Sequence, residues 1–263
     1  MSAPARVPVR RLRLALACML IVTAGAVPGA QGPPPPDGPP ASPRDAAPLD
    51  LTGTWVSIVN EDWRWRMVTA PKGDFQGIPL NEEGTRVANA WDPATDGSCQ
   101  AFGAAALLRM PTRLRIAWQD EQTLTLETDN GRQTRTFRFD GAAPRGRATL
   151  QGHSVASWAR NMGASNPFGI NPPGGPPPAA GGALKVVTTN LSGGWLRRNG
   201  VPYSGRATVT EYFDRFPSPD GTDWFVVTTI VVDPTYLNGR FVTSTHYRRE
   251  PDGSTWNPRA CRN

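Results

Sequence analysis

Hydrophobic and polar positions alternate with a period of two through much of residues 51–263, the pattern of strands with one buried face. The segments 51–59, 112–118, 123–128, 133–139, 147–158, 184–189, 206–213, 223–233 and 240–248 are each rich in Val, Ile, Thr, Phe, Tyr or Trp and are bounded by turn residues. Asp129-Asn130-Gly131 and Asp220-Gly221 suit hairpin turns, since Asn and Gly accept positive φ. One stretch, 82–91, reads as helix, with Asn81 placed to cap it and Pro93 beyond its end. Nine short strands without alternating helices predict an all-β fold, an antiparallel lipocalin-like β-barrel with one short helix.

The rest of the chain has a different grammar. Arg6, Arg10, Arg11 and Arg13 precede an apolar run from Leu14 to Val22 and then small residues. This order predicts a secretory signal peptide over 1–26, cleaved after Ala26 with Ala30 as the alternative, its core too short to anchor in a bilayer. Arg10-Arg11 leaves export by the Sec or the twin-arginine route open. Nine Pro within 27–50 predict an extended tether, and six more within 166–182 a long Pro/Gly-rich loop inserted in the barrel domain, 51–263.

Composition changes meaning once these segments are set apart. Loss of four Arg lowers the net charge from +6 to +2, and Lys72 and Lys185 are the only lysines. The remaining basic residues are dispersed among acids, so no nucleic-acid partner is expected. Cys18 leaves with the signal, and Cys99 and Cys261 are then expected to pair in an oxidising compartment, either the periplasm or the exterior of a bacterium.

Strand alternation also assigns polar side chains to faces. Ala207, Val209, Glu211 and Phe213 share one face, as do Arg135, Phe137 and Phe139, so a carboxylate and a guanidinium are both expected to point inward and invite pairing. Asp233 is in phase with Phe225, Val227 and Val231, His246 falls on the wet face, and His153 follows a bend at Gly152 that leaves its direction open.

Gly152-His153-Ser154 with Trp158, Leu184-Lys185-Val186-Val187-Thr188-Thr189, Val201-Pro202-Tyr203-Ser204, Val209-Thr210-Glu211 and Val231-Val232-Asp233-Pro234 together resemble a large group of secreted bacterial proteins of uncharacterised function. The resemblance covers about 81–233 and touches Arg135, Asp140, His153, Ser154, Glu211 and Asp233. The chain departs from that group where the Pro/Gly insert replaces an acidic turn and where Thr188 stands for a strand Asp. Gly53-Thr54-Trp55 is similar to the Gly-x-Trp opening of lipocalins, which implies a barrel holding a small apolar ligand, although a core Trp that seals a barrel needs no ligand.

Three functions follow as expectations. The first is binding of a small apolar or aromatic molecule in the barrel, with Trp63, Trp65 and Arg135 as ligand-binding residues alongside Glu211; strand alternation puts the two indoles on one face. The second is cofactor-independent lyase, isomerase or hydrolase chemistry with Glu211, Asp233 and His153 as catalytic acid/base groups. The third is a structural envelope protein in which the same charges form a polar plug. Neither a metal nor a cofactor is expected, and the partner is a small molecule, without stable membrane insertion after signal cleavage.

Overall fold

A closed ring of nine strands cannot alternate direction throughout, so at least one neighbouring pair must run parallel. The computed structural model, which describes residues 41–94, 99–160 and 182–261, obeys this constraint with a single parallel pair in its barrel. In chain order the elements are β1 (Gly53–Ile58), α1 (Trp63–Arg66), α2 (Glu82–Ala90), β2 (Arg113–Trp118), β3 (Thr123–Thr128), β4 (Asn130–Gly131), β5 (Thr134–Arg138), β6 (His153–Arg160) and β7 (Gly182–Thr189). They continue with β8 (Gly194–Arg197), β9 (Val201–Tyr203), β10 (Thr208–Pro217), β11 (Asp223–Val232), β12 (Phe241–Arg249) and β13 (Arg259–Ala260). The barrel order is β1-β12-β11-β10-β7-β6-β5-β3-β2, closing back on β1.

The parallel pair is β5 with β6, joined only at Phe137 with Ser154 and Arg138 with Val155. A parallel pair needs a crossover, and residues 139–152 supply one. The strand expected over 147–158 therefore starts only at His153, after Gly152 takes a φ of 61°. By contrast the β10–β11 hairpin pairs ten residues of each strand, from Thr208 with Val232 to Pro217 with Asp223. Its turn carries Gly221 at a φ of 82°, the hairpin chemistry read from Asp220-Gly221. The helix α2 is capped by Asn81, whose side chain accepts from the Gly84 amide at 2.8 Å.

Side chains fill the barrel. Trp55, Leu114, Leu124, Leu126, Phe137, Leu184, Phe213, Phe225 and Tyr247 are fully buried in one apolar cluster. Val201, Tyr203, Val209, Val231 and Phe241 belong to a second cluster toward the end where β1 has stopped and β12 begins, closed over by the β8–β9 hairpin. Along β10 the order Val209, Glu211, Phe213 steps from the second cluster to the first, so Glu211 stands at the junction between them.

Both ends of the described chain are fastened to this frame. Residues 41–50, the end of the expected tether, lie along the barrel: the Trp158 indole donates to the Pro43 carbonyl at 2.7 Å, Ser42 and Arg44 bond Glu121, and Leu49 packs on the core. The indole N–H and the apolar Leu49 give this stretch partners that an extended tether lacks. At the other end Cys99 and Cys261 form a disulfide, with Cα atoms 5.6 Å apart, beside the parallel pairing of β13 with β4. The expected signal peptide, residues 27–40 of the tether and the insert apart from Gly182 lie outside the described residues. Among the described residues no helix is long and apolar enough to cross a membrane.

Candidate functional site

The expected pairing of inward charges is present. Arg135 on β5 donates through Nη1 and Nη2 to the two carboxylate oxygens of Glu211 on β10, at 2.8 and 2.6 Å, and both side chains are wholly buried. Nη2 also donates to Thr188 Oγ1 at 3.0 Å, and Thr188 shares a hydrogen bond with Ser154 at 2.8 Å. Thr188 gives Arg135 a neutral acceptor beside the one carboxylate of Glu211. The guanidinium packs over Phe137 at 4.9 Å, with apolar side chains on either side of the pair. The bidentate contact makes the pair a polar plug in the core, in which each charge meets the other out of water.

Asp233 and His153 stand elsewhere. Asp233 lies just past β11, buried, and accepts from Ser204 N, Ser204 Oγ and Thr235 N at 2.6 to 2.9 Å. It fastens the loop after β9 to the loop after β11. His153 points away from the barrel interior, since its neighbour Ser154 is the inward residue of β6. Its ring nitrogen Nε2 lies 2.8 Å from the Ala142 carbonyl, at an outer cleft of about 340 Å³ lined also by Arg138, Asp140 and Arg145. The three expected catalytic groups thus occupy three separate networks. Among the described residues no three His, Cys, Asp or Glu side chains gather as metal ligands.

Trp63 and Trp65 do not line a strand face. They sit on the four-residue helix α1, whose first turn is set by Asp62 in the left-handed region at a φ of 51°, with the amides of Trp65 and Arg66 donating to the Asp62 carbonyl. Residues two apart on a helix diverge instead of sharing a face. Trp63 is accordingly 64% exposed, whereas Trp65 is half-buried and donates its indole N–H to Asp74. Trp-Arg-Trp-Arg alternates as a strand would, but four residues are too few to separate a period of two from one turn of helix.

What α1 covers was not legible in the pattern. Arg66, Arg109 and Arg197 are all at least 94% buried there. Arg66 pairs with Glu61 and donates through Nε to the Arg109 carbonyl at 2.9 Å. Arg109 pairs with Asp62 at 2.9 Å and lies over the Phe241 ring, and Arg64 pairs with Asp74 at 2.6 Å. Arg197, on β8, donates to the Gln76 carbonyl at 2.8 Å and stacks on Trp65 at 4.3 Å; among the described residues it has no carboxylate within ion-pair distance. Burial, with Arg109 as a like charge nearby, lowers its guanidinium to about 10, and burial lowers Arg66 and Arg198 in the same direction. The Trp65 indole and Arg64 hold Asp74 below the ordinary carboxylate range.

The segment beside this group carries exposed apolar side chains. Trp63, Met67 and Val68 are each more than half exposed within six consecutive residues; of the other large exposed apolar residues, Phe216 lies on β10, and Val232 and Val242 lie on the outer faces of the paired strands β11 and β12. Comparison with known proteins finds no family model, no curated protein and no solved structure that matches this chain.

Proposed function

We propose that the protein is a secreted or periplasmic barrel that binds a small apolar or aromatic molecule, and that the ligand sits under and against α1 at the barrel end. The observation that carries this reading is the exposed apolar lip of Trp63, Met67 and Val68 directly over buried, incompletely paired arginines. Concentrated exposed apolar surface on an otherwise well-packed domain marks an interaction site. The interior position expected for the ligand is taken by core side chains and by the Arg135–Glu211 pair. The Cys99–Cys261 disulfide supports an oxidising compartment. The dispersal of Glu211, Asp233 and His153 gives acid/base catalysis no support.

Native mass spectrometry of the protein exported by its own host tests the reading, with a retained small molecule as the expected result. Trp63→Ala is expected to weaken its binding about tenfold, the scale of one aromatic contact worth ~1.5 kcal/mol, with stability moved by less than ~0.5 kcal/mol because the ring is exposed. No retained species, or equal retention in Trp63→Ala, overturns it. The filled barrel then favours a structural envelope protein.

A further inference from the structure

We propose that Arg66, Arg109 and Arg197 form an oxyanion site, which takes the carboxylate or phosphate group of the molecule bound at α1. The inference rests on the binding reading above and names the chemistry of the ligand.

The basis is an imbalance between donors and acceptors. Arg66 Nη2, Arg109 Nη1, and Arg197 Nε and Nη1 are buried and have no hydrogen-bond partner among the described residues. Against these four donors, the unpartnered buried groups on the β8–β9 hairpin that can accept are Asn199 Oδ1 and the Tyr203 hydroxyl. The three arginines are placed together around α1: Arg66 Nε donates to the Arg109 carbonyl, Arg109 pairs with Asp62 just before the helix, and Arg197 stacks on Trp65 within it. Nearby carboxylates do not settle the account. Glu61 is engaged by Arg66 and His246, Asp62 by Arg109, and Asp74 by Arg64 and Trp65. Arg197 is left as a buried cation with a backbone carbonyl and an aromatic face in place of a counterion.

Such a group is expensive to bury, because a charge out of water needs an opposite charge as well as hydrogen bonds. A water molecule would meet the donors but leave the charge; an oxyanion meets both. Guanidinium forks match the two-oxygen edge of a carboxylate or phosphate, and the unpartnered nitrogens of these three arginines are the donors such an edge would take. Access is built in. The lid is one helical turn, held to the site in part by the Arg109–Asp62 pair, whose carboxylate is 39% exposed and can be exchanged for that of a ligand.

The test is thermal unfolding of the purified protein at constant ionic strength made up with chloride. Benzoate and inorganic phosphate are titrated in parallel to ~50 mM, and benzyl alcohol serves as the uncharged control. At least one anion is expected to give a saturable rise in Tm, roughly 5 to 10 °C at a hundredfold excess over Kd, and benzyl alcohol none. The anion with the larger rise identifies the carboxylate or the phosphate class. Arg197→Met is expected to abolish the rise while unfolding no earlier than the wild type. Arg197→Lys keeps the charge but loses the fork, and retains only a fraction of the response. Asp62→Asn removes the competing carboxylate at a φ that Asn tolerates, and is expected to tighten binding several-fold. No saturable rise with either anion, or a rise undiminished in Arg197→Met, overturns the proposal. The two readings fail separately. Saturation by phosphate without a retained molecule in native mass spectrometry leaves the oxyanion site standing and removes the ring-binding reading; a retained neutral molecule with no anion response does the reverse.

Discussion

Two groups of buried arginine lie within one small barrel and differ in a single respect. In the interior, Arg135 meets Glu211 through two hydrogen bonds and Thr188 through a third, leaving only Nε without a partner. At the barrel end, among the described residues, Arg66 and Arg109 each have one carboxylate, Arg197 has none, and four nitrogen donors are left over. Burial is nearly equal in the two places, so burial does not distinguish a structural charge from a functional one. The distinction lies in whether the fold supplies the counter-charge itself. Where it does, the pair holds strands together; where the described residues do not, the site is open to the charge of a ligand, as proposed above.

The largest expected effect breaks the interior group. Glu211→Gln leaves the Arg135 guanidinium buried without its counter-charge and is expected to cost about 3–5 kcal/mol in urea unfolding. The double change Arg135→Met with Glu211→Leu is expected to fall within ~1 kcal/mol of wild type or to gain up to ~4 kcal/mol, because both charges leave together. A double variant as unstable as Glu211→Gln would show that the pair does more than satisfy itself.

The next effect has the opposite sign. Arg197→Met removes a buried cation that has no carboxylate partner among the described residues, and is expected to stabilise the ligand-free protein by about 1–3 kcal/mol, the scale of relieving unmet buried donors. Loss of stability in this variant would sink the contrast between the two groups. The pH dependence sharpens it. Arg197 has its folded value lowered to about 10 from an ordinary 12.5, so its charged form is the one the fold disfavours. The penalty is complete below about 10 and is relieved as pH rises through that value toward 12.5. The Tm advantage of Arg197→Met over wild type is therefore expected to shrink between pH 9 and pH 11, whereas a pH-independent gap would mean that Arg197 keeps its ordinary affinity for protons.

Tyr203→Phe gives the smallest effect and an uncharged control. The Tyr203 hydroxyl is buried at the same barrel end without a partner among the described residues, pressed against Gly103 and Gly194, where an added Cβ would meet it at 1.9 and 2.8 Å. Its removal is expected to be neutral or to stabilise by ~1 kcal/mol at pH 7, measured by chemical unfolding. Burial raises the Tyr203 phenol above its ordinary value, so the folded state holds its proton longer than the unfolded state does. The stability this contributes is present below pH 10 and lost above it, and Tyr203→Phe is expected to flatten that alkaline loss.

Much of this frame was legible along the chain. All nine barrel strands were marked by period-two alternation, and the same alternation turned Arg135 and Glu211 inward although 76 residues separate them. Asn81 and Gly221 announced a helix cap and a hairpin turn through side-chain chemistry alone. The short elements were not legible. The β8–β9 hairpin and α1 are three or four residues each, below the length at which a period can be read, and both hold parts of the arginine group. Nothing in Trp195-Leu196-Arg197-Arg198 says which arginine will be buried. That choice is made by α1, by the carbonyl of Gln76 and by the ring of Trp65, all from a segment more than 120 residues earlier.

The sequence by itself determined the strands, the inward face of each, the identity of the single long helix and the partners Cys99 and Cys261, because backbone pattern, turn chemistry and cysteine arithmetic are local or composition-level properties. Only the tertiary structure decided that an odd number of strands closes with one parallel seam, that Glu211, Asp233 and His153 part company, and that Arg66 of α1 is buried near Arg109 and Arg197, the last without a carboxylate among the described residues. Those outcomes depend on which distant segments come to share a site, and the balance of charge within a buried site is set by that meeting and not by the order of residues along the chain.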